Sequence, residues 1–257
     1  MSPTLTGAAH RSVRFVTWVR AWRAGLAPYD QVADGIADGE EQLVADLPGA
    51  WRDVPLTEAL PALSKLHPDA VRLVLPAPGD PAGLPGPGPL SEAALAAGEG
   101  VIAGDIGLVP TLRSHTSGSG DTFHTVTWRV YPMPPDPLRP PVMTPAEAEA
   151  ELSETLAATT TTLTRLDVAQ WRPELASALA GLRKPGNGTD LPPGYDPRCR
   201  RLYARARVLE GVLELAAGSA PGGSVNAYEA QQREEALRPL TAACRRAVLA
   251  ACNAPLS

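Results

Sequence analysis

Hydrophobic positions follow two different rhythms along this chain, and the change comes at a cluster of prolines. In the later stretch TPAEAEAELSETLAATTTTLTRL, residues Leu152, Leu156, Thr159, Leu163 and Leu166 recur every three or four positions, the spacing of one helix face. Thr144 stands where an N-cap belongs and Pro145 falls in the first turn. RPELASALAGLRK repeats the pattern through Leu175, Leu179 and Leu182. DPRCRRLYARARVLEGVLELAAG carries it through Leu202, Ala206, Leu209, Leu213 and Ala216. NAYEAQQREEALRPLTAACRRAVLAAC offers Leu237, Leu240, Cys244, Val248 and Ala251, with Pro239 expected to kink the helix. A one-sided stripe must be buried against another element, so residues 144–257 are predicted to form an α-helical bundle. KPGNGTDLPPGYDP and GSAPGGS read as turn-rich, mobile connections.

The earlier stretch is mixed. SVRFVTWVRAWRAG places Phe15, Trp18, Trp22 and Leu26 at helical spacing, with Gly25 as a C-cap, although its first half is also rich in strand formers. EQLVADLPG suits a strand closed by Pro48 and Gly49. PLTEALPALSKL follows with Leu56, Leu60 and Leu63 at helical intervals, and AVRLVLPAPGD supplies a β-branched run stopped by Pro76 and Pro78. Strand, helix, strand predicts a βαβ unit with parallel pairing. LSEAALAAGEG reads as a further helix with Ser91 at its N-cap, and GVIAGDIGLVPTL and DTFHTVTWRVYP read as two strands.

Residues 132–145, PMPPDPLRPPVMTP, hold seven prolines and mark an extended connector. The expected organisation is therefore α+β. An N-terminal small α/β sheet domain with a β-hairpin spans 1–134, a proline-rich connector 135–143, and a C-terminal helical bundle 144–257.

Composition narrows the function classes. The basic residues are 21 arginines and only two lysines, Lys65 and Lys184, a bias typical of a high-GC bacterial genome. Net charge is −5, so no whole-protein field favours nucleic acid or an anionic membrane. No run of about 18 apolar residues occurs and the first residues lack signal-peptide character, which points to the cytoplasm. The three cysteines, Cys199, Cys244 and Cys252, lack metal or CxxC spacing and read as reduced thiols packed in a core.

Three stretches could carry chemistry. RSHTSGSGDTFHTV gathers Ser, His and Asp, the residue types of a nucleophilic triad, but no GxSxG elbow presents a serine. Its glycine-rich SGSGD suits a hairpin turn, with His124 on the same face as Val126 and Trp128. The loop LVLPAPGDPAGLPGPGPLSEAA, taken to follow a parallel strand, lies where open α/β sheets bind ligands. Its prolines delete the backbone donors that a phosphate cradle needs, and Asp80 is read as a turn residue. Arg198, Arg201 and Arg205 line one helix face and could grip anions, a protein partner or acidic residues of the same chain.

No catalytic residue, metal ligand set or cofactor motif is assigned, and an enzyme is the less favoured class. The leading expectation is a cytoplasmic protein acting by protein–protein interaction, in a regulatory role. A competing expectation is an enzyme or small-ligand binder whose pocket, at the junction of sheet and bundle, uses Arg72, Asp80, Arg113, His115, Asp121 and His124. A third is nucleic-acid binding through the arginine helix.

Overall fold

A computed structural model describes residues 11–81, 83–118, 121–134, 137, 143–165, 191–218 and 227–257. The chain divides into two compact units. One takes in Ala9–Val142, Leu191–Asp196 and Pro255–Ser257 and carries a sheet; the other carries the long helices that follow Met143. The protein is α+β.

The sheet unit opens with α1 (Arg11–Arg23) and α2 (Tyr29–Ala37), followed by β1 (Glu41–Ala45) and β2 (Val54–Pro55). After α3 (Leu56–Ala59) come β3 (Val71–Val74), α4 (Pro89–Ala97), β4 (Gly100–Ala103), β5 (Ile106–Thr116) and β6 (Thr122–Pro132). The β-branched start of α1 does not prevent a helix, because tertiary burial outweighs weak local preference. Phe15, Val16 and Val19 are fully enclosed, and the Phe15 ring lies 4.7 Å from the Trp128 ring of β6. Burying each such side chain contributes about 1.5–3 kcal/mol. The buried stripe is therefore Phe15, Val16 and Val19, while Trp18 and Trp22 of the predicted stripe are only partly covered. Gly25, at φ 75, lets the chain leave the helix in a left-handed conformation.

The strands form one six-stranded mixed sheet in the order β2-β1-β6-β5-β4-β3. The expected βαβ pairing is not found. β1 and β3 lie far apart in the sheet; β1 pairs in parallel with β6, and β3 is an edge strand antiparallel to β4. The connection between β1 and β3 fails as a crossover helix, because Pro61 converts its second turn into a 3-10 turn, Leu60–Leu63. GVIAGDIGLVPTL is likewise not one strand but two, β4 and β5, folded back at Gly104 with φ 66. Ser91 is not the N-cap of α4; Gly88 is, and the Ser91 hydroxyl donates to the Gly86 carbonyl at 2.5 Å.

Helices cover both faces of the sheet. α1 packs across β3, β4 and β5 on the face of Val71, Leu73, Val101 and Trp128. α4 covers the other, where Leu90 and Ala94 meet Val74, Ile102 and Val109. Gly107 admits this contact, since a Cβ there would stand 2.3 Å from Leu90 Cδ1. Two later segments complete the unit: Leu191 and Tyr195 are buried, and the Ser257 amide donates to the Gly194 carbonyl at 3.0 Å. The described part of the predicted mobile connection, 191–196, is thus packed.

The helical unit contains α5 (Pro145–Arg165), α6 (Pro197–Gly218) and α7 (Ala227–Asn253). Thr144 and Glu147 form a reciprocal capping box, with the Glu147 amide donating to Thr144 Oγ1 at 3.3 Å and the Thr144 amide to Glu147 Oε2 at 2.8 Å. α7 packs against both α5 and α6, burying Leu152, Leu202, Ala206, Cys244, Val248 and Ala251. Pro239 lies within α7, which continues through it. All three thiols are buried and free of disulfides. The predicted helix RPELASALAGLRK and the segment GSAPGGS lie outside the described residues. Among the described residues no helix is long and apolar enough to cross a membrane.

Candidate functional site

The longest ladder in the sheet joins β5 to β6, from Ile106↔Pro132 to Thr116↔Thr122. Its neighbours are shorter. β4 pairs with β5 only as far as Leu108, and β1 pairs with β6 only from Thr125 onwards. Among the described residues the pairs Ser114↔His124, His115↔Phe123 and Thr116↔Thr122 consequently have no strand on either side, and β5 presents an open edge beyond Leu108. Pro110 lies two positions past Leu108, the last residue paired to β4, where the strand has become an edge that tolerates proline. The result is a two-stranded ribbon extending past its own sheet.

Alternation along this ribbon sorts its side chains. Arg113, His115, Phe123 and Thr125 share one face, and His115 stacks on Phe123 at 4.9 Å with the rings 15° apart. Leu112, Ser114 and His124 share the other, where Ser114 Oγ and His124 Nδ1 are 3.1 Å apart. Leu112 is 43% exposed and Phe123 52% exposed, although Val126, directly opposite Leu112, and Trp128 beyond it are fully buried. Trp128 is anchored there by donation from its indole Nε1 to Gln42 Oε1 at 2.8 Å. Thr125 donates to Glu41 Oε2 at 2.8 Å and Arg129 reaches Asp46 at 3.5 Å, so both carboxylates of β1 and its turn face β6. Among the described residues no hydrogen bond or ion pair engages the Arg113 side chain.

The residues singled out from the sequence are only partly brought together. Arg113, His115, Asp121 and His124 all lie on the ribbon, but His115 and His124 point to opposite faces and form no common ligand set. Asp121 closes the turn: its amide donates to Ser117 Oγ at 3.1 Å and its carbonyl accepts from the Ser117 amide at 2.8 Å. Arg72 sits opposite Ile102 on edge strand β3, separated from β5 by β4. Asp80 exchanges backbone hydrogen bonds with Ala77 across a tight turn that contains Gly79 at φ 78. The strand feeding this loop is an antiparallel edge, which removes the parallel-strand geometry expected of it. A cavity bounded by Phe15, Val44, Leu56, Leu60 and Leu108 encloses about 10 Å³ and is apolar throughout. That is no more than the space of one water.

In the helical unit the arginine row is exposed, and two of its members contact the neighbouring α5 at the surface. Arg198 reaches Glu149 at 3.4 Å and Arg205 donates to Ser153 Oγ at 3.0 Å, while Arg201 is exposed. Arg246 clasps Glu151 through two hydrogen bonds of 3.0 and 2.6 Å. Arg207 pairs with Glu210 at 2.6 Å, yet burial still pushes the Glu210 carboxyl above its ordinary range. Burial, with the nearby Glu210, pushes the Cys244 thiol up to about 12. That is the behaviour of an inert packed thiol.

Trp51 was not signalled by any stripe, and among the described residues it is the most exposed large hydrophobic side chain, at 89%. It stands in the turn after β1, with Arg52 5.3 Å over its ring. An aromatic between Pro48-Gly49 and Asp53, outside every periodic run, is the sequence sign that could have found it.

A mixed sheet layered between helices, with a separate helical unit after it, defines a two-part α+β protein. The chain belongs to the Rv1486c-like protein family: residues 12–144 match that family's N-terminal domain and residues 146–249 its C-terminal domain. It is 28% identical, over 95% of its own length and 96% of the relative's, to the Mycobacterium tuberculosis (strain H37Rv) protein described as "Uncharacterized protein Rv1486c". It is 26% identical, over 95% and 97%, to the Mycobacterium leprae protein described as "Uncharacterized protein ML1804". No solved structure matches it.

Proposed function

We propose that this is a cytoplasmic protein that acts by binding another protein, in a regulatory role, through the distal part of the β5–β6 ribbon. One observation carries the reading: Leu112 and Phe123 stand exposed on opposite faces of the ribbon, Leu112 on the edge that β4 has left and Phe123 beyond the pairing of both β4 and β1. An isolated two-stranded ribbon is at best marginally stable in water. Apolar side chains on both faces of such an element are well used only when a partner covers them. The engagement of Arg198 and Arg205 by α5 supports the same reading, because it occupies the cations that a nucleic-acid surface on α6 would require.

The test is affinity capture from a lysate of the source bacterium, comparing the wild-type chain with Leu112→Ser/Phe123→Ser. Both positions are solvent-facing, so the variant keeps its thermal unfolding midpoint. Proteins held by the wild type and lost by the variant are the expected result. Identical capture by the two chains overturns the assignment of the ribbon.

A further inference from the structure

We infer that the ribbon takes its partner as an added β-strand, an extended acidic segment lying antiparallel along the open edge of β5; this rests on the protein-binding reading above. Among the described residues no strand pairs with β5 beyond Leu108 on the side away from β6, so past Pro110, which lacks an N–H, a row of backbone donors and acceptors reaching Thr116 is left for another chain. Main-chain pairing of this kind suits a polypeptide, and alternate side chains of the added strand then read the two faces of the ribbon.

Charge selects which polypeptide. β5 and β6 together contain Arg113, Arg129, His115 and His124 and no acidic residue, in a chain of net charge −5. Arg129 is already met by Asp46, whereas the Arg113 side chain faces solvent with no hydrogen bond or ion pair among the described residues. A carboxylate two residues from an apolar side chain cannot satisfy both faces at once, but alternation can. Acidic residues at every second position meet Thr111, Arg113 and His115, and the apolar residues between them meet Leu112. A second copy of this chain fits worse, because pairing β5 with itself draws two acid-free strands, each with its own Arg113 and His115, side by side.

The experiment uses the full chain and a fluorescein-labelled decapeptide alternating aspartate and valine, followed by fluorescence anisotropy at low salt. Saturable binding to the wild type is expected, with a loss of about tenfold or more for Arg113→Glu, since a charge-assisted contact becomes a like-charge one. The matching lysine–valine decapeptide should prefer Arg113→Glu over the wild type. The same aspartate–valine peptide, N-methylated at every residue, has no backbone donor on either edge, cannot form the ladder and should not bind.

Absent binding, binding indifferent to Arg113→Glu, or full binding of the N-methylated peptide would each overturn the inference. So would tighter retention of single-stranded thymidine decamer, which assigns the ribbon to nucleic acid, or self-association displaced by the peptide, which assigns it to a second copy. If the peptides fail while capture by the ribbon still depends on Leu112 and Phe123, only the strand-addition mode falls; if capture fails too, the protein-binding reading falls with it.

Discussion

Replacing Gln42 with leucine isolates the hydrogen bond that fixes the base of the ribbon. Gln42 is 8% exposed and Trp128 fully buried, and the indole Nε1 donates to Gln42 Oε1 at 2.8 Å. The other end of the same amide donates to the Ala37 carbonyl at 3.5 Å, at the end of α2. Leucine refills most of the volume, so the cavity contribution is small. What remains is a buried N–H with no acceptor, which costs about 1–3 kcal/mol. For a unit of this size each kcal/mol lowers the melting temperature by roughly 2–4 °C. The assay is thermal unfolding followed by near-ultraviolet circular dichroism, with hydrogen exchange across β6 as the local readout. Faster exchange should centre on Val126–Val130 and leave the helical unit unchanged. A variant within about 0.5 kcal/mol of wild type would show that Trp128 does not depend on this acceptor, against the cost of an unmade bond.

Three further outcomes follow from the packing. Burial pushes the Glu99 carboxyl above its ordinary 4.5, even though the Ser12 amide donates to it at 2.7 Å and Arg11 and Arg14 lie near. Above 4.5 the unfolded chain releases a proton that the folded chain still holds, so stability falls as pH rises through that window. The urea midpoint of the wild type should therefore decline relative to Glu99→Gln from pH 4.5 upwards, and parallel profiles would refute this. Gly107→Ala drives a methyl to 2.3 Å from Leu90 Cδ1 and should cost about 1–3 kcal/mol, with Leu90→Ala partly restoring the loss in urea unfolding. Cys199, Cys244 and Cys252 are buried, and the Cys244 thiol stands at about 12, so none should react with a thiol reagent at pH 8 until denaturant is added. Rapid native labelling of Cys244 would contradict its placement.

Local periodicity carried much of this fold. The leucine stripes of α5, α6 and α7, the Thr144 cap and the hairpin turn at SGSGD all follow from residues within a few positions of one another. Strand order did not. β1 finds its parallel neighbour in β6, more than a domain's worth of short connections later, and nothing in EQLVA distinguishes that partner from β3. α2 was also silent, since only Val32 and Ile36 mark its buried side. In the candidate site, alternation correctly placed His124 beside Val126 and Trp128. What it could not give was where the ladder outlasts its neighbours, because that depends on β4 starting at Gly100 and β1 starting at Glu41. Exposure of Leu112 and Phe123 is therefore a property of the assembled sheet and not of the segment that carries them.

Amide hydrogen exchange over Val109–Thr116, taken on the full chain alone and again with the partner recovered by capture, bears most directly on the ribbon as the binding element. The open edge should exchange quickly in the free protein and become protected in the complex, together with Thr122–His124. Unchanged exchange there, with new protection arising only on the helical unit, would contradict the account.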